Sequence, residues 1–167
     1  MYSHYEFFAG GGMAAAGMGP AWSCLFANDH SPAKARSYAA NWGDDHLACG
    51  DIQALTTDDL PGRADMAWAS FPCQDISTAG RAAGIGSQDA RKPTRSALFW
   101  TFWDLMLELQ KEGRGPRTIV LENVQGLLTS SNGADFGALA AALHSAGMTF
   151  GAMLVDAREF VPQSRPR

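Results

Sequence analysis

The sequence predicts an α/β domain built on an open, doubly wound parallel sheet. Three observations carry this prediction. Short apolar runs of strand length alternate with longer segments of helical periodicity, the pattern of βαβ units. The first run, Tyr5-Glu6-Phe7-Phe8, leads through Ala9-Gly10-Gly11-Gly12 into a segment of small residues, the opening of a nucleotide-type binding unit. Thr118-Ile119-Val120-Leu121 reads as a strand buried on both faces, and it ends in a carboxylate, Glu122.

Taken in order, the glycine turn after the first strand permits positive φ and close approach of a ligand to the backbone. It is not a GxGxxG pattern, so a plain tight turn remains an alternative. Met13 to Met18 follows as a helix, and Trp22 to Asn28 as a second strand. Asp29 lies nineteen residues past Gly10, near the spacing at which an acid at the second strand tip meets ribose hydroxyls. Ser31-Pro32 supplies an N-cap and first residue for a helix through Trp42. Gly50-Asp51-Ile52 ends a third strand or forms an ordinary turn; in the first case Asp51 shares a crevice with Asp29.

Residues 64–70 form a fourth strand that runs into Phe71-Pro72-Cys73-Gln74. Cys73 therefore sits on a strand-to-loop corner, where open α/β sheets display reactive groups. Pro72 holds the backbone direction just before it. A spare thiol is the alternative, since reactivity requires thiolate and exposure. Gln74 to Thr94 reads as a long loop. Ser96 to Glu112 is a helix with Leu98, Phe99, Phe102, Leu105, Met106 and Leu109 on one face. After the 118–121 strand come a helix from Phe136 to Ala146, closed by Gly147, and a last strand from Thr149 to Val155.

The 167 residues suffice for one domain with a real core, and no apolar run reaches the length of a membrane span. The amino terminus lacks a basic-then-apolar signal pattern. Three cysteines without a CxxC pair argue for a reducing compartment, and against a disulfide framework or a metal site. The net charge of −4 makes no electrostatic case for nucleic acid, but Arg81, Arg91, Lys92 and Arg95 against Asp89, and Arg158, Arg165 and Arg167 against Glu159, are candidate phosphate-facing loops.

Together these stretches resemble the amino-terminal part of the catalytic domain of DNA (cytosine-5) methyltransferases. The resemblance rests on Phe8-Ala9-Gly10-Gly11-Gly12, Asn28-Asp29, Gly50-Asp51-Ile52, Phe71-Pro72-Cys73-Gln74, Thr94-Arg95-Ser96-Ala97-Leu98-Phe99, Glu122-Asn123-Val124 and Gln163-Ser164-Arg165-Pro166-Arg167, in the family's order. It implies a Rossmann-like sheet of the S-adenosylmethionine-dependent methyltransferase type, with S-adenosylmethionine as methyl donor. It implies that Cys73 is the nucleophile toward cytosine carbon 6, that Glu122 contacts ring N3 and the exocyclic amine, and that Arg165 holds O2. Phe8, Gly10, Gly12, Asp29, Asp51, Ile52 and Leu98 would hold the cofactor. Phe71, Pro72, Gln74, Arg81, Asn123, Gln163 and Arg167 would line the substrate side, on double-stranded DNA with the base flipped out.

Two departures stand out. His30 occupies the place where many relatives carry a large aromatic residue. The family also continues past Arg167 with another strand, a target-recognition region and a returning segment, so the sheet is expected to be incomplete at its C-terminus and target recognition to lie in a missing region or a second chain. The expectation is a cytoplasmic, bacterial or phage enzyme of the restriction-modification kind. The alternatives are a non-catalytic or split-enzyme subunit of the same fold, and a tRNA cytosine-5 methyltransferase.

Overall fold

The computed structural model describes residues 1–72 and 97–162. They belong to two compact units: Met1–Phe71 with Trp100–Glu122, and Pro72–Phe99 with Asn123–Arg167.

The first unit holds a five-stranded sheet. Its strands are β1 (Tyr2–Phe7), β2 (Trp22–Asp29), β3 (Leu47–Cys49), β4 (Met66–Ala69) and β5 (Thr118–Leu121). Their order is β3-β2-β1-β4-β5, and every pairing is parallel. The chain winds outward from β1 in one direction through α1 (Met13–Met18) and α2 (Pro32–Trp42), then returns to the other side of β1 with β4 and β5. The winding reverses between β1 and β4. In such sheets the crevice for ligands opens at that reversal, beyond the carboxyl ends of the strands.

Side chains alternate across β1. Tyr5 and Phe7, both fully buried, pack on one face, where Phe7 meets Phe102 of α3 (Ala97–Lys111) edge-on at 5.1 Å and Phe26 at 5.8 Å. Phe102, Trp103, Leu105, Met106 and Leu109 are buried along α3. Each such side chain contributes about 1.5–3 kcal/mol of burial free energy. Gly113 closes the helix at φ 75°, and the Arg114 N–H donates to Leu109 O at 2.8 Å.

His4 and Glu6 occupy the other face of β1. β2 carries one extra residue, Leu25, opposite the step between His4 and Tyr5: His4 pairs with Cys24, whereas Tyr5 pairs with Phe26. The bulge puts Cys24 beside His4 and leaves Phe26 on the Phe7 face. Burial by itself would lower the His4 pKa, but Cys24 and Glu6 beside it raise it to about 9. Tyr38 of α2, fully buried, packs with Ala9 and Ala27 on this side. Burial pushes the Tyr38 phenol well above its ordinary range.

In the second unit, α4 (Ala134–Ser145) buries Leu139, Ala142 and Leu143. Ser130 and Ser131 hydroxyls donate to the buried Asp135 carboxylate at its amino end. The expected strand from Thr149 to Val155 is not formed. Among the described residues this segment joins no ladder, and Phe150, Met153 and Leu154 are exposed. An apolar run becomes a strand only when another strand satisfies its backbone groups. The expected cap Ser96 and the long loop after Cys73 lie outside the described residues. Among the described residues no helix is long and apolar enough to cross a membrane.

Candidate active site

The crevice is built from the strand tips. β1 ends at Phe7, and Phe8 turns with φ 58°, a conformation that side-chain-bearing residues adopt only under constraint. Such a residue stores on the order of 1–3 kcal/mol of strain, which clusters at ligand sites. The Ala9 N–H donates to Asn28 O at 2.9 Å and the Gly12 N–H to Ala9 O at 2.9 Å, which closes the loop on itself. Gly12 caps α1 at φ 82°. A Cβ there would stand 2.1 Å from Trp42 Nε1, so the loop needs glycine for shape and for space. The same Trp42 Nε1–H donates to Gly11 O at 3.2 Å. Gly10, at φ 59°, differs: a Cβ there would meet nothing within 4 Å.

Asp29 fastens this loop. Its side chain is 3% exposed; Oδ2 accepts the Gly10 N–H at 2.9 Å and Oδ1 accepts the Ser31 N–H at 2.9 Å. A carboxylate has about four lone-pair positions, so one on each oxygen remains. Lys34 Nζ stands 3.8 Å from Oδ2, and His30, on the exposed side, 3.8 Å from Oδ1. Ser31 occupies the N-cap of α2 with Pro32 behind it, but makes no side-chain cap hydrogen bond. The Asp29 carboxylate instead holds the Ser31 amide, just before the first turn of α2.

Asn28, 1% exposed, donates its amide to Ala48 O and Gly50 O, both at 3.0 Å. It ties the tip of β2 to the end of β3. Its signal in the sequence is a polar side chain closing the apolar run Leu25-Phe26-Ala27. Just beyond, Asp51 accepts the Gln53 N–H at 3.0 Å and opens a 3₁₀ turn, in which Ile52 is buried.

On the other side of the reversal, the Ser70 N–H donates to Phe7 O at 3.3 Å, and the Glu122 N–H donates to Ala69 O at 3.0 Å. Trp68 Nε1–H donates to Ser70 Oγ at 2.9 Å. The tips of β1, β4 and β5 are thus locked side by side, with Glu122 half-buried in register beside the end of β4. Phe71, 4% exposed, anchors the chain as it leaves the sheet. In the second unit, Pro72 is exposed, Leu98 and Asn123 are half-buried, and Asn123 Oδ1 accepts the Val124 N–H at 2.9 Å. Cys73, Gln74, Arg81, Gln163, Arg165 and Arg167 lie outside the described residues.

A glycine loop clipped by an acid from the next strand, at the winding reversal of a parallel sheet, defines the class of Rossmann-like domains that hold nucleoside-containing ligands. The particular family follows from comparison with known proteins. Residues 2–167 match the model of the C-5 cytosine-specific DNA methylases, and the chain belongs to that family. It is 33% identical over 145 residues to the type II methyltransferase M.BsuFI of Bacillus subtilis, covering 86% of this chain and 32% of that protein. It is 30% identical over 171 residues to M.NlaX of Neisseria lactamica, covering 100% of this chain and 50% of that one. The chain thus spans half or less of the length of these relatives. A Dnmt2 methyltransferase structure from S. pombe superimposes with a TM-score of 0.73 at 22% identity, over 99% of this chain and 49% of that one. A putative prophage DNA modification methyltransferase from E. coli gives 0.70 at 21%, over 99% and 44%. These likenesses show the fold, a parallel α/β sheet shared with methyltransferase structures.

Proposed function

We propose that this chain carries the cofactor-binding and nucleophile-bearing half of a DNA (cytosine-5-)-methyltransferase of the type II, restriction-modification kind, acting on double-stranded DNA in a bacterial cytoplasm. One observation supports the reading above the rest. The tip of β1, which leads into the Phe8 loop, and the tip of β4 at Ala69 and Ser70 are pinned together at the winding reversal, with Glu122 paired to Ala69.

The loop suits S-adenosylmethionine. Gly10 offers open space at its α-carbon, and Asp29 keeps acceptor capacity after fastening the loop. Phe8 would pack on the adenine, Gly10 and Gly12 would flank the methionine portion, and Asp29 would accept from the ribose hydroxyls. Asp51 and Ile52 would meet the adenine, and Leu98 would line the pocket. When bound, the cofactor supplies an electrophilic methyl group.

The residues of the chain do the rest. The Cys73 thiolate adds to carbon 6 of a flipped cytosine, and the ring's double-bond electrons become nucleophilic at carbon 5. A Glu122 carboxyl at N3 and the exocyclic amine, with Arg165 at O2, stabilises the charge that develops on the ring. Carbon 5 would take the methyl group as the methyl–sulfur bond of the bound donor breaks and leaves a neutral thioether; the carbon-5 proton would then leave to a base, and the thiolate would depart from carbon 6 as the double bond re-forms. Phe71, Pro72, Gln74 and Asn123 would shape the base pocket, and Arg81, Gln163 and Arg167 would bind substrate beside it.

A trapping assay tests this. The chain, alone and as the longest product of its reading frame, is incubated with S-adenosylmethionine and duplex DNA carrying 5-fluorocytosine at many sites. Fluorine cannot leave as the proton does, so a denaturant-stable adduct that Cys73→Ser abolishes is the expected result. A folded, cofactor-binding protein that forms no adduct in either form overturns the proposal.

A further inference from the structure

A second buried polar cluster lies on the α1–α2 face of the sheet, away from the strand tips. His4 and Glu6 are 2% and 1% exposed, and the bulge at Leu25 turns Cys24 toward them. One ligand atom from each of the three lies within 4.8 Å of the other two. Neither ring nitrogen of His4 has a hydrogen-bond partner, nor does Glu6 Oε2, and the His4 Nε2 to Glu6 Oε2 separation is 3.8 Å. Buried polar groups left this way cost about 1–3 kcal/mol each. In folded proteins they are rare, and an ion or water commonly accounts for them.

The surroundings provide access. His4 and Cys24 line a cavity of about 440 Å³ that also touches Pro20, Trp22, Trp42 and His46. The Tyr38 hydroxyl bridges this wall, 3.5 Å from Cys24 Sγ and 3.1 Å from His46 Nε2. An imidazole and a thiol on the wall of a cavity, with a carboxylate within 4.8 Å of both, form a ligand set, whereas scattered core polar groups do not converge.

We propose that His4, Glu6 and Cys24 bind a divalent ion of the zinc class, in a site separate from the methyltransferase crevice. The donor chemistry selects the metal. A thiolate with an imidazole suits Zn²⁺ or Co²⁺, whereas Mg²⁺ and Ca²⁺ take oxygen ligands alone. Tetrahedral zinc holds sulfur at about 2.3 Å and nitrogen or oxygen at about 2.0–2.2 Å, so its ligand atoms stand roughly 3–4 Å apart. The observed spacing needs only a small inward movement of side chains. Three protein ligands leave a fourth position for water on the cavity side. The ion would pin β1 to β2 where the bulge interrupts their register, one strand length before the Phe8–Gly12 loop.

Cobalt tests the site because a cobalt–thiolate bond absorbs in the near ultraviolet. The full chain with Cys49→Ser and Cys73→Ser, which leaves Cys24 as its one thiol, is titrated with Co²⁺ and then with Zn²⁺. The expected result is a stoichiometric charge-transfer band, displaced by Zn²⁺, lost in Cys24→Ser and weakened at least about tenfold in apparent affinity by His4→Gln or Glu6→Gln. Zn²⁺ should also raise the melting temperature of the parent and not of Cys24→Ser. No band in a folded parent, a band that survives Cys24→Ser, or a band indifferent to both His4→Gln and Glu6→Gln overturns the proposal. Glu6→Gln and His4→Gln are near-isosteric, and circular dichroism of each variant separates loss of ligand from loss of fold.

Discussion

Two buried polar centres sit on neighbouring stretches of the same two strands, and they are finished differently. At the strand tips, the Asp29 carboxylate accepts one backbone amide on each oxygen, and Asn28 donates its amide to the carbonyls of Ala48 and Gly50. One strand length earlier, His4 and Glu6 are buried as deeply yet leave three polar atoms without hydrogen bonds. The tip centre is complete within the chain and keeps spare acceptor capacity for a ligand. The His4 centre holds an imidazole and a carboxylate 3.8 Å apart, beyond hydrogen-bond distance. Depth of burial therefore does not separate a structural polar group from a ligand site; the account of its hydrogen bonds does.

Truncation should separate the two centres most sharply. Asp29→Ala strands the Gly10 and Ser31 amides and should lower stability by about 2–4 kcal/mol in urea unfolding. It should also weaken S-adenosylmethionine binding, measured by equilibrium dialysis. By contrast, replacing both partners of the other centre with apolar residues, His4→Phe with Glu6→Leu, should lower metal-free stability less than Asp29→Ala does, because the two partners of the 3.8 Å His4–Glu6 contact leave together and strand no backbone amide. If that double variant unfolds as easily as Asp29→Ala, the two centres are equivalent and the comparison fails.

The glycine loop offers a smaller effect within one centre. Gly12→Ala drives a methyl group into Trp42 and should lower stability by about 1–3 kcal/mol. Gly10→Ala meets no atom and carries only the left-handed backbone penalty of about 1 kcal/mol. The Gly10 methyl should instead show itself as weaker cofactor binding. Equal stability losses for both variants would mean that Trp42 swings aside without effect.

The smallest effect lies at the opposite end of β1. Asp65 accepts the Ser3 amide at 2.8 Å and the Ser3 hydroxyl at 3.0 Å, and these hydrogen bonds lower its pKa. A carboxylate with a lowered folded pKa stabilises the fold above its unfolded value, and that contribution fades as pH falls through the folded one. The unfolding midpoint should accordingly drop below about pH 4 less steeply in Asp65→Asn than in the parent.

Much of this was legible beforehand. The glycine turn and α1 follow from local composition, and α1 spans Met13–Met18 as its small residues predict; β1 runs Tyr2–Phe7 rather than Tyr5–Phe8, because pairing with β2 extends it back to Tyr2 and Phe8 turns at positive φ. Asp29, expected from its spacing to meet ribose hydroxyls, accepts the Gly10 amide in the structure. The membership of Phe71-Pro72-Cys73-Gln74 and Glu122-Asn123-Val124 in one family pattern was visible in their order alone. The Thr149–Val155 segment shows the limit, since its apolar residues fit a strand and lack a ladder. The convergence of His4, Glu6 and Cys24 lies outside what the sequence signals, because cysteine spacing is local and this cluster is not.

What the sequence determined by itself is what depends on neighbours along the chain: helical and strand periodicity, glycine where φ turns positive, and an acid at the end of an apolar run. The tertiary structure decided what depends on partners elsewhere. It set one extra residue in β2 against β1, which turned Cys24 toward His4 and left Phe26 on Phe7. It also brought Trp42 beneath Gly12 from thirty residues away. Side-chain direction in a strand has a period of two, so a single inserted residue reverses it. No local pattern announces such an insertion, because only the paired strand shows which residue is extra.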